Sequence, residues 1–156
     1  MRFSPRLRAI LACVKGSRCL ADIGTDHGYL PIAACSEGMA ERAVACDVAA
    51  GPLEIARANV RRYGLEARIE CRLGYGLRPL GVGEADCVVI AGMGGANMVE
   101  ILNEAELSGV RRLIVQPQRD IDAVRGALGV LGFEVVEEVT ALDRGRTYTV
   151  IVAEGG

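Results

Sequence analysis

"ADIGTDHGYL", residues 21–30, decides the fold. An apolar run, "CLADIG" (19–24), enters a glycine-bearing turn and leaves as a helical pattern, "YLPIAACSEG" (29–38), that ends at Gly38. A short buried strand, a tight turn and a helix in that order open a βαβ unit. Pro31 is tolerable because it falls in the first helical turn, where its missing N–H is not needed. The turn, Asp22-x-Gly24-x-Asp26-x-Gly28, resembles a dinucleotide fingerprint with an acid in place of the middle glycine. The only His of the chain, His27, follows that acid.

The same alternation continues outward. "RAVACDV" (42–48) reads as strand two, and a helix from Pro52 to Tyr63 is stopped by Gly64. "ARIECRLG" (67–74) is strand three. After the glycine-rich loop "GYGLRPLGVG" comes "ADCVVIAG" (85–92), the most apolar strand and therefore expected at the centre. A helix over 96–107, the strand "RRLIVQP" (111–117) and a helix over 120–132 follow. The last two strands, 133–142 and 146–154, flank the hairpin turn "DRG". Upstream, Ser4-Pro5 starts a helix over 4–15 with Leu7, Ile10, Leu11 and Val14 at helical spacing. Five strand–helix alternations and a hairpin predict an α/β, doubly wound, mostly parallel seven-stranded sheet with one antiparallel strand near its edge. Ligands of such sheets sit at the carboxyl ends of the strands. Here those ends carry the loops 24–29, 47–51, 74–79, 92–96 and 116–120.

A chain of 156 residues, 51% apolar and 24% charged, is expected to fold as one domain over 1–156. Its net charge of −2 neither requires nor excludes a nucleic-acid partner. The six cysteines (13, 19, 35, 46, 71 and 87) show no CxxC pair and fall inside apolar runs. They read as buried free thiols in a reducing compartment, not as a metal site. Arg6, Arg8 and Lys15 interrupt the apolar start, so it is an amphipathic helix and not a signal peptide. No run approaches the length of a membrane span, and a cytoplasmic location is expected.

The acid in the first turn narrows the ligand. A phosphate there would meet a like charge, opposed by roughly 4 kcal/mol at a few ångströms in a partly shielded cleft. S-adenosylmethionine (SAM) has no phosphate and carries a sulfonium and an ammonium, which Asp22 and the glycine turn would suit. Asp47 lies 23 residues after Gly24, near the spacing at which an acid reaches ribose hydroxyls. After the central strand, "AGMGG" (91–95) lacks the Asn/Asp-Pro-Pro-aromatic turn of exocyclic-amine methyltransferases. It is either an open floor for a flat ligand or a plain strand-to-helix turn. His27 is either a general acid/base or the donor of a structural hydrogen bond. Gln116-Pro117-Gln118 either holds a base edge or caps strand five.

"LADIGTDHGYLPI", "CDVAAGPLEIARANV", "AGMGG" and "LIVQPQ", in this order and spacing, resemble the bacterial TrmK-type tRNA (adenine-N1)-methyltransferases over nearly the whole chain. The resemblance implies a Rossmann-like class I SAM-dependent methyltransferase fold and methyl transfer to N1 of adenine 22 of tRNA. It implies a cofactor site of Asp22, Gly24, Thr25, Gly28, Asp47, Val48, Tyr75, Gly76 and Gly92. The catalytic set it implies is Asp26, His27, Met93 and Gly94, with Gly95 completing the loop. Asp26 would stabilise the cationic 1-methyladenine and accept from its 6-amino group. Three departures stand out. Tyr75 replaces the usual Asp of "GDGL"; Gln118 replaces an Asn; and the family's carboxyl-terminal helical domain has no counterpart before Gly156, so the chain reads as a truncated or minimal member. Weak tRNA binding is therefore expected, with the amino-terminal basic group (Arg2, Arg6, Arg8, Lys15, Arg18) as the RNA contact and smaller groups at Arg61-Arg62 and Arg111-Arg112. The alternatives are a SAM-dependent methyltransferase with another nucleic-acid or small-molecule acceptor, and a nucleotide-binding module without chemistry.

Overall fold

The computed structural model describes residues 3–155. Its elements are α1 (Pro5–Ala12), β1 (Ser17–Ile23), α2 (Tyr29–Ser36), β2 (Ala40–Asp47), α3 (Ala50–Arg62), β3 (Ile69–Leu73), β4 (Cys87–Met93), α4 (Gly95–Glu104), β5 (Arg112–Pro117), α5 (Ile121–Val130), β6 (Phe133–Asp143) and β7 (Arg146–Gly155). The strands form one sheet in the order β3-β2-β1-β4-β5-β7-β6. β1 to β5 pair in parallel, and β7 is antiparallel to both β5 and β6. The apolar β4 is the middle strand of seven, and the order reverses between β1 and β4. The carboxyl ends of these two strands are therefore where a ligand crevice opens.

Alternation along the strands sorts two cores onto the two faces. Leu20, Ala43, Val89 and Ile114 pack with Ile10 and Leu11 of α1, Ile32 of α2 and Val60 of α3. Ala21, Val44, Val88, Ile90 and Leu113 pack with Met98 and Leu102 of α4 and with Val124 and Leu128 of α5. All six cysteines are free thiols; five are buried, and Cys71 on the edge strand β3 is half-buried. Burial pushes the Cys46 and Cys87 thiols up to about 12.

Two expectations need correction. The crossover from β3 to β4 is the glycine-rich loop read in the sequence, with turns and no helix, so the strand–helix alternations number four and not five. Gly74, Gly76, Pro79, Gly81 and Gly83 crowd this segment, and such a composition cannot hold a helix. The first helix is also shorter than 4–15. Ser4 caps it, its Oγ accepting from Leu7 N at 3.1 Å, but Lys15 and Gly16 take left-handed angles and turn the chain into β1.

At the end of the sheet opposite the crevice, Asp86 fixes β1 against β4. Its carboxylate accepts from Ser17 Oγ (2.5 Å), the amides of Arg18 and Cys19 (3.1 Å each) and Arg111 Nη2 (3.2 Å). Burial alone would raise its pKa, but the Ser17 hydroxyl, the two amides and Arg111 together hold it at about 2. The depressed value stabilises the fold above the ordinary 3.8, and that contribution is lost as pH falls toward 2. Asp86→Ala orphans Ser17 and the Cys19 amide, so urea unfolding at pH 7 is expected to show a loss of about 2–4 kcal/mol. Asp86→Asn, which keeps one acceptor oxygen, is expected to lose less.

Candidate active site

The loop after β1 is tied to the end of β2. The Gly24 and Thr25 amides both donate to the Cys46 carbonyl at 2.9 Å. The Asp26 amide donates to Asp47 Oδ2 and the Ala49 amide to Asp47 Oδ1, each at 2.9 Å. Gly24, Asp26 and Gly28 all have positive φ (73°, 60° and 78°). Two of these positions are glycine because the left-handed region is open to it; Asp is among the few other residues that tolerate it. Gly28 caps α2 and lies against α3, where a Cβ would stand 3.1 Å from the Ala56 methyl. Asn59 of α3 donates from Nδ2 to the His27 carbonyl at 2.9 Å.

This geometry sends Asp22 inward and Asp26 outward. Asp22 is buried and accepts from Thr25 Oγ1 at 2.8 Å. The Asp26 side chain is 68% exposed, and among the described residues its one basic side-chain partner within 4 Å is the His27 imidazole, with Nδ1 3.5 Å from Oδ2. Asp22, Gly24, Thr25, Asp26 and His27 share a cavity of about 130 Å³ with Arg6, Leu7, Ile10, Tyr29, Leu30 and Ala91.

The loop after β4 closes the other side. The β4–β5 register shifts between Ala91 and Met93, and Gly92 bulges out at φ 77°. The Gly92 amide donates to Gln116 Oε1 at 3.2 Å, and Arg6 Nη1 donates to the same oxygen at 2.9 Å. Gln116 Nε2 donates to the Pro117 carbonyl at 3.2 Å. The buried Gln116 thus joins α1, β4 and β5, while Gln118 is exposed and donates its amide to the Met93 carbonyl. Met93 Cε reaches to 3.0 Å from where a Gly24 Cβ would stand. Gly95 starts α4 against the Arg119 carbonyl, which a Cβ would meet at 2.5 Å, and Gly94 lies under the Arg119 side chain. A plain packing reason therefore accounts for both of these glycines.

Val48 stands exposed beside Asp47. Tyr75 is turned to α4: its hydroxyl donates to Glu100 Oε1 at 2.8 Å, and Arg78 lies over its ring. Gly76, at φ 55°, packs on Ile101. Gln116 was expected either to hold a base edge or to cap strand five, and Arg6 to contact RNA, and neither was expected in the cofactor or catalytic set. Arg6 reads in the sequence as one cation of an amphipathic helix, and only the docking of α1 across the sheet brings it here. Arg8 pairs with Glu37, and Lys15 and Arg18 lie at the opposite end of the sheet. Arg2 lies outside the described residues. A groove of about 450 Å³ between α3 and the β2–β3 edge contains none of the expected cofactor or catalytic residues, and of the expected basic groups only Arg61.

Burial pushes the Asp22 carboxyl up to about 7; nearby Asp47 and Asp26 add to this, while Thr25 and Arg6 oppose it. The unfolded chain releases this proton near 3.8 and the folded chain near 7, so stability falls as pH rises between those values. The full effect is about 4 kcal/mol, at about 1.4 kcal/mol per pH unit. Asp22→Asn cannot ionise. Denaturation from pH 4 to 8 is expected to show the wild type losing stability relative to this variant up to pH 7 and then holding level; parallel curves would place the Asp22 pKa near 3.8.

A family described as a methyltransferase domain matches residues 3–151. The tRNA (adenine(22)-N(1))-methyltransferase of Bacillus subtilis is 37% identical over the whole of this chain. The chain spans 66% of that relative's length, and 60% and 62% of two mycoplasma relatives named as tRNA methyltransferases of unconfirmed activity. The crystal structure of Bacillus subtilis TrmK superposes with a TM-score of 0.94 at 35% identity, over 99% of this chain and 67% of that one. A Streptococcus pneumoniae protein solved with SAM bound superposes with a TM-score of 0.95 at 36% identity, over 99% of this chain and 74% of that one. Its sheet order, its acidic first turn and these similarities show that the chain belongs to the methyltransferase-domain family, in the group that contains TrmK.

Proposed function

We propose that residues 1–156 act as one SAM-dependent methyltransferase domain that modifies N1 of an adenine in tRNA, position 22 by similarity to the Bacillus subtilis enzyme. The observation that carries this reading is the exposed Asp26 carboxylate at the crevice, without an arginine or lysine partner among the described residues. It stands where phosphate-bearing cofactors need backbone donors and no negative charge. Asp22, Asp26 and Asp47 together make a cleft for cations.

The residues present fit SAM. Asp47 uses each oxygen once and keeps acceptor capacity for ribose hydroxyls. Val48 offers an exposed apolar surface for an adenine beside it, and Gly24, without a Cβ, lets the turn approach the Met93 side chain closely. Tyr75, held by Glu100, would offer that adenine no carboxylate. The buried Asp22 would face the ammonium or sulfonium. When bound, SAM supplies the electrophilic methyl group.

N1 of neutral adenine has an in-plane lone pair, so no base need remove a proton before attack. The work of the site is to hold the ring in line and to accept the charge that develops on it. Asp26 does the second: its carboxylate meets the forming 1-methyladenine cation and accepts from the 6-amino group. Met93, Gly92 and Gly94 leave a low floor opposite the turn, and the Gln116 network holds that floor in place. His27, close to Asp26 and half-exposed, orients the carboxylate. The base reaches this cavity only after leaving its stack. Among the described residues no helix is long and apolar enough to cross a membrane. The six free thiols support a reducing, cytoplasmic place for the domain.

Asp26→Asn keeps the shape and removes the charge. Methyl transfer to unmodified tRNA is expected to slow by at least about 100-fold with SAM affinity near normal. Turnover at the wild-type rate would refute the role of the charge. Asp47→Ala is expected to weaken SAM binding about tenfold or more in calorimetry, because charge-assisted bonds of about 1.5–3 kcal/mol are lost.

A further inference from the structure

The outer wall of the crevice carries a different charge from its interior. β6 and β5 run in the same direction, so the hairpin turn between β6 and β7 emerges at the carboxyl end of the sheet, beside the β5–α5 loop. Arg144 sits in that turn at φ 52°, Arg146 begins β7, and Arg119 lies in the β5–α5 loop over Gly94. The side chains of these three arginines form no hydrogen bond or ion pair within the described residues. Elsewhere the guanidinium groups are largely neutralised: Arg8 by Glu37, Arg72 by Glu84, Arg112 by Glu154, Arg125 by Asp122 and Glu138. Arg61 and Arg62 are also unpaired, but they end α3 at the far edge of the sheet, where they favour the helix carboxyl terminus.

Between the two arginine-bearing segments runs a polar groove of about 80 Å³, lined by Gln118, Arg146, Thr147 and Thr149 among others. The carboxylates at this rim are Asp120, Asp122 and Asp143, of which Asp122 pairs with Arg125. Asp143 is turned to the start of α1, with its Oδ2 3.4 Å from the Arg6 amide. This bond ties the hairpin to α1, whose Arg6, Leu7 and Ile10 also line the cavity.

We propose that Arg119, Arg144 and Arg146 are the track for the phosphodiester backbone of the RNA substrate. The inference rests on the tRNA-methyltransferase reading and assigns the RNA surface of that same site. An acidic interior and a basic rim divide a nucleotide between them. Phosphates are repelled by Asp22, Asp26 and Asp47 and are held outside by the arginines, while the uncharged base passes inward. Backbone contacts set register in this way without reading sequence. The track moves the RNA contact from the amino-terminal helix to the hairpin and the β5–α5 loop. Three contacts make weak binding with a shallow salt dependence, in keeping with a net charge of −2.

The test is filter binding of an unmodified tRNA transcript to the 156-residue chain across about 20–200 mM salt, with SAM affinity measured in parallel. The wild type is expected to give a log–log slope of about −2 to −3, at about 0.7–0.9 per phosphate contact. R119A/R144A/R146A is expected to flatten the slope to about −1 or less and to weaken binding roughly tenfold at the lowest salt, with SAM affinity unchanged. R119K/R144K/R146K is expected to keep the slope, and R61A/R62A to behave as wild type. A triple alanine variant with the wild-type slope overturns the track and leaves the functional reading standing. A wild type that binds SAM but no tRNA at the lowest salt overturns both.

Discussion

Everything in the crevice depends on how one five-residue turn is held to a neighbouring strand. Gly24, Asp26 and Gly28 each adopt a left-handed backbone, and such a turn does not hold itself. The Cys46 carbonyl takes two of its amides, and the Asp47 carboxylate takes a third. A non-glycine residue in this region costs on the order of 1 kcal/mol, and the charge-assisted bond to Asp47 offsets it. The same bonds place Asp22 beneath the turn and Asp26 above it, so a structural tether also sets where two negative charges stand.

A second tether balances the first. Gln116 is almost fully buried and uses its carboxamide to hold Gly92 and Arg6 together. The β4 bulge would otherwise leave the Gly92 amide without an acceptor, and the Arg6 cation would have no fixed place. Held there, Arg6 tempers the repulsion among three carboxylates, and its ring contact with Tyr148 links the cavity to the hairpin. The crevice is built from residues far apart in sequence, one arginine among three aspartates, so it stays acidic and Asp26 is left facing out.

Residue pattern made the sheet legible. Strands of near-continuous apolar residues announced a parallel sheet, and "ADCVVIAG" stood out as its centre because it has the least polar surface to spend at an edge. The acidic turn and Asp47 were legible because strand ends face one crevice. What stayed hidden is what depends on docking. Nothing local marks Arg6 or Gln116 as partners 110 residues apart. The β3–β4 crossover was legible as a loop from its glycines and proline; only the count of alternations overlooked that it holds no helix. Tyr75 could be seen to replace an acid, but its commitment to Glu100 depends on where α4 lies.

The cysteines give the fold a built-in clock. Every thiol is raised above its ordinary pKa, chiefly by burial, so the reactive thiolate is scarce at neutral pH. Alkylation must then wait for the chain to open. Cys71, on the edge strand and half-covered, becomes available when β3 frays. Cys46 and Cys87, on strands inside the sheet, become available only when the sheet itself comes apart. The order in which the thiols take up a label therefore records the order in which the strands let go.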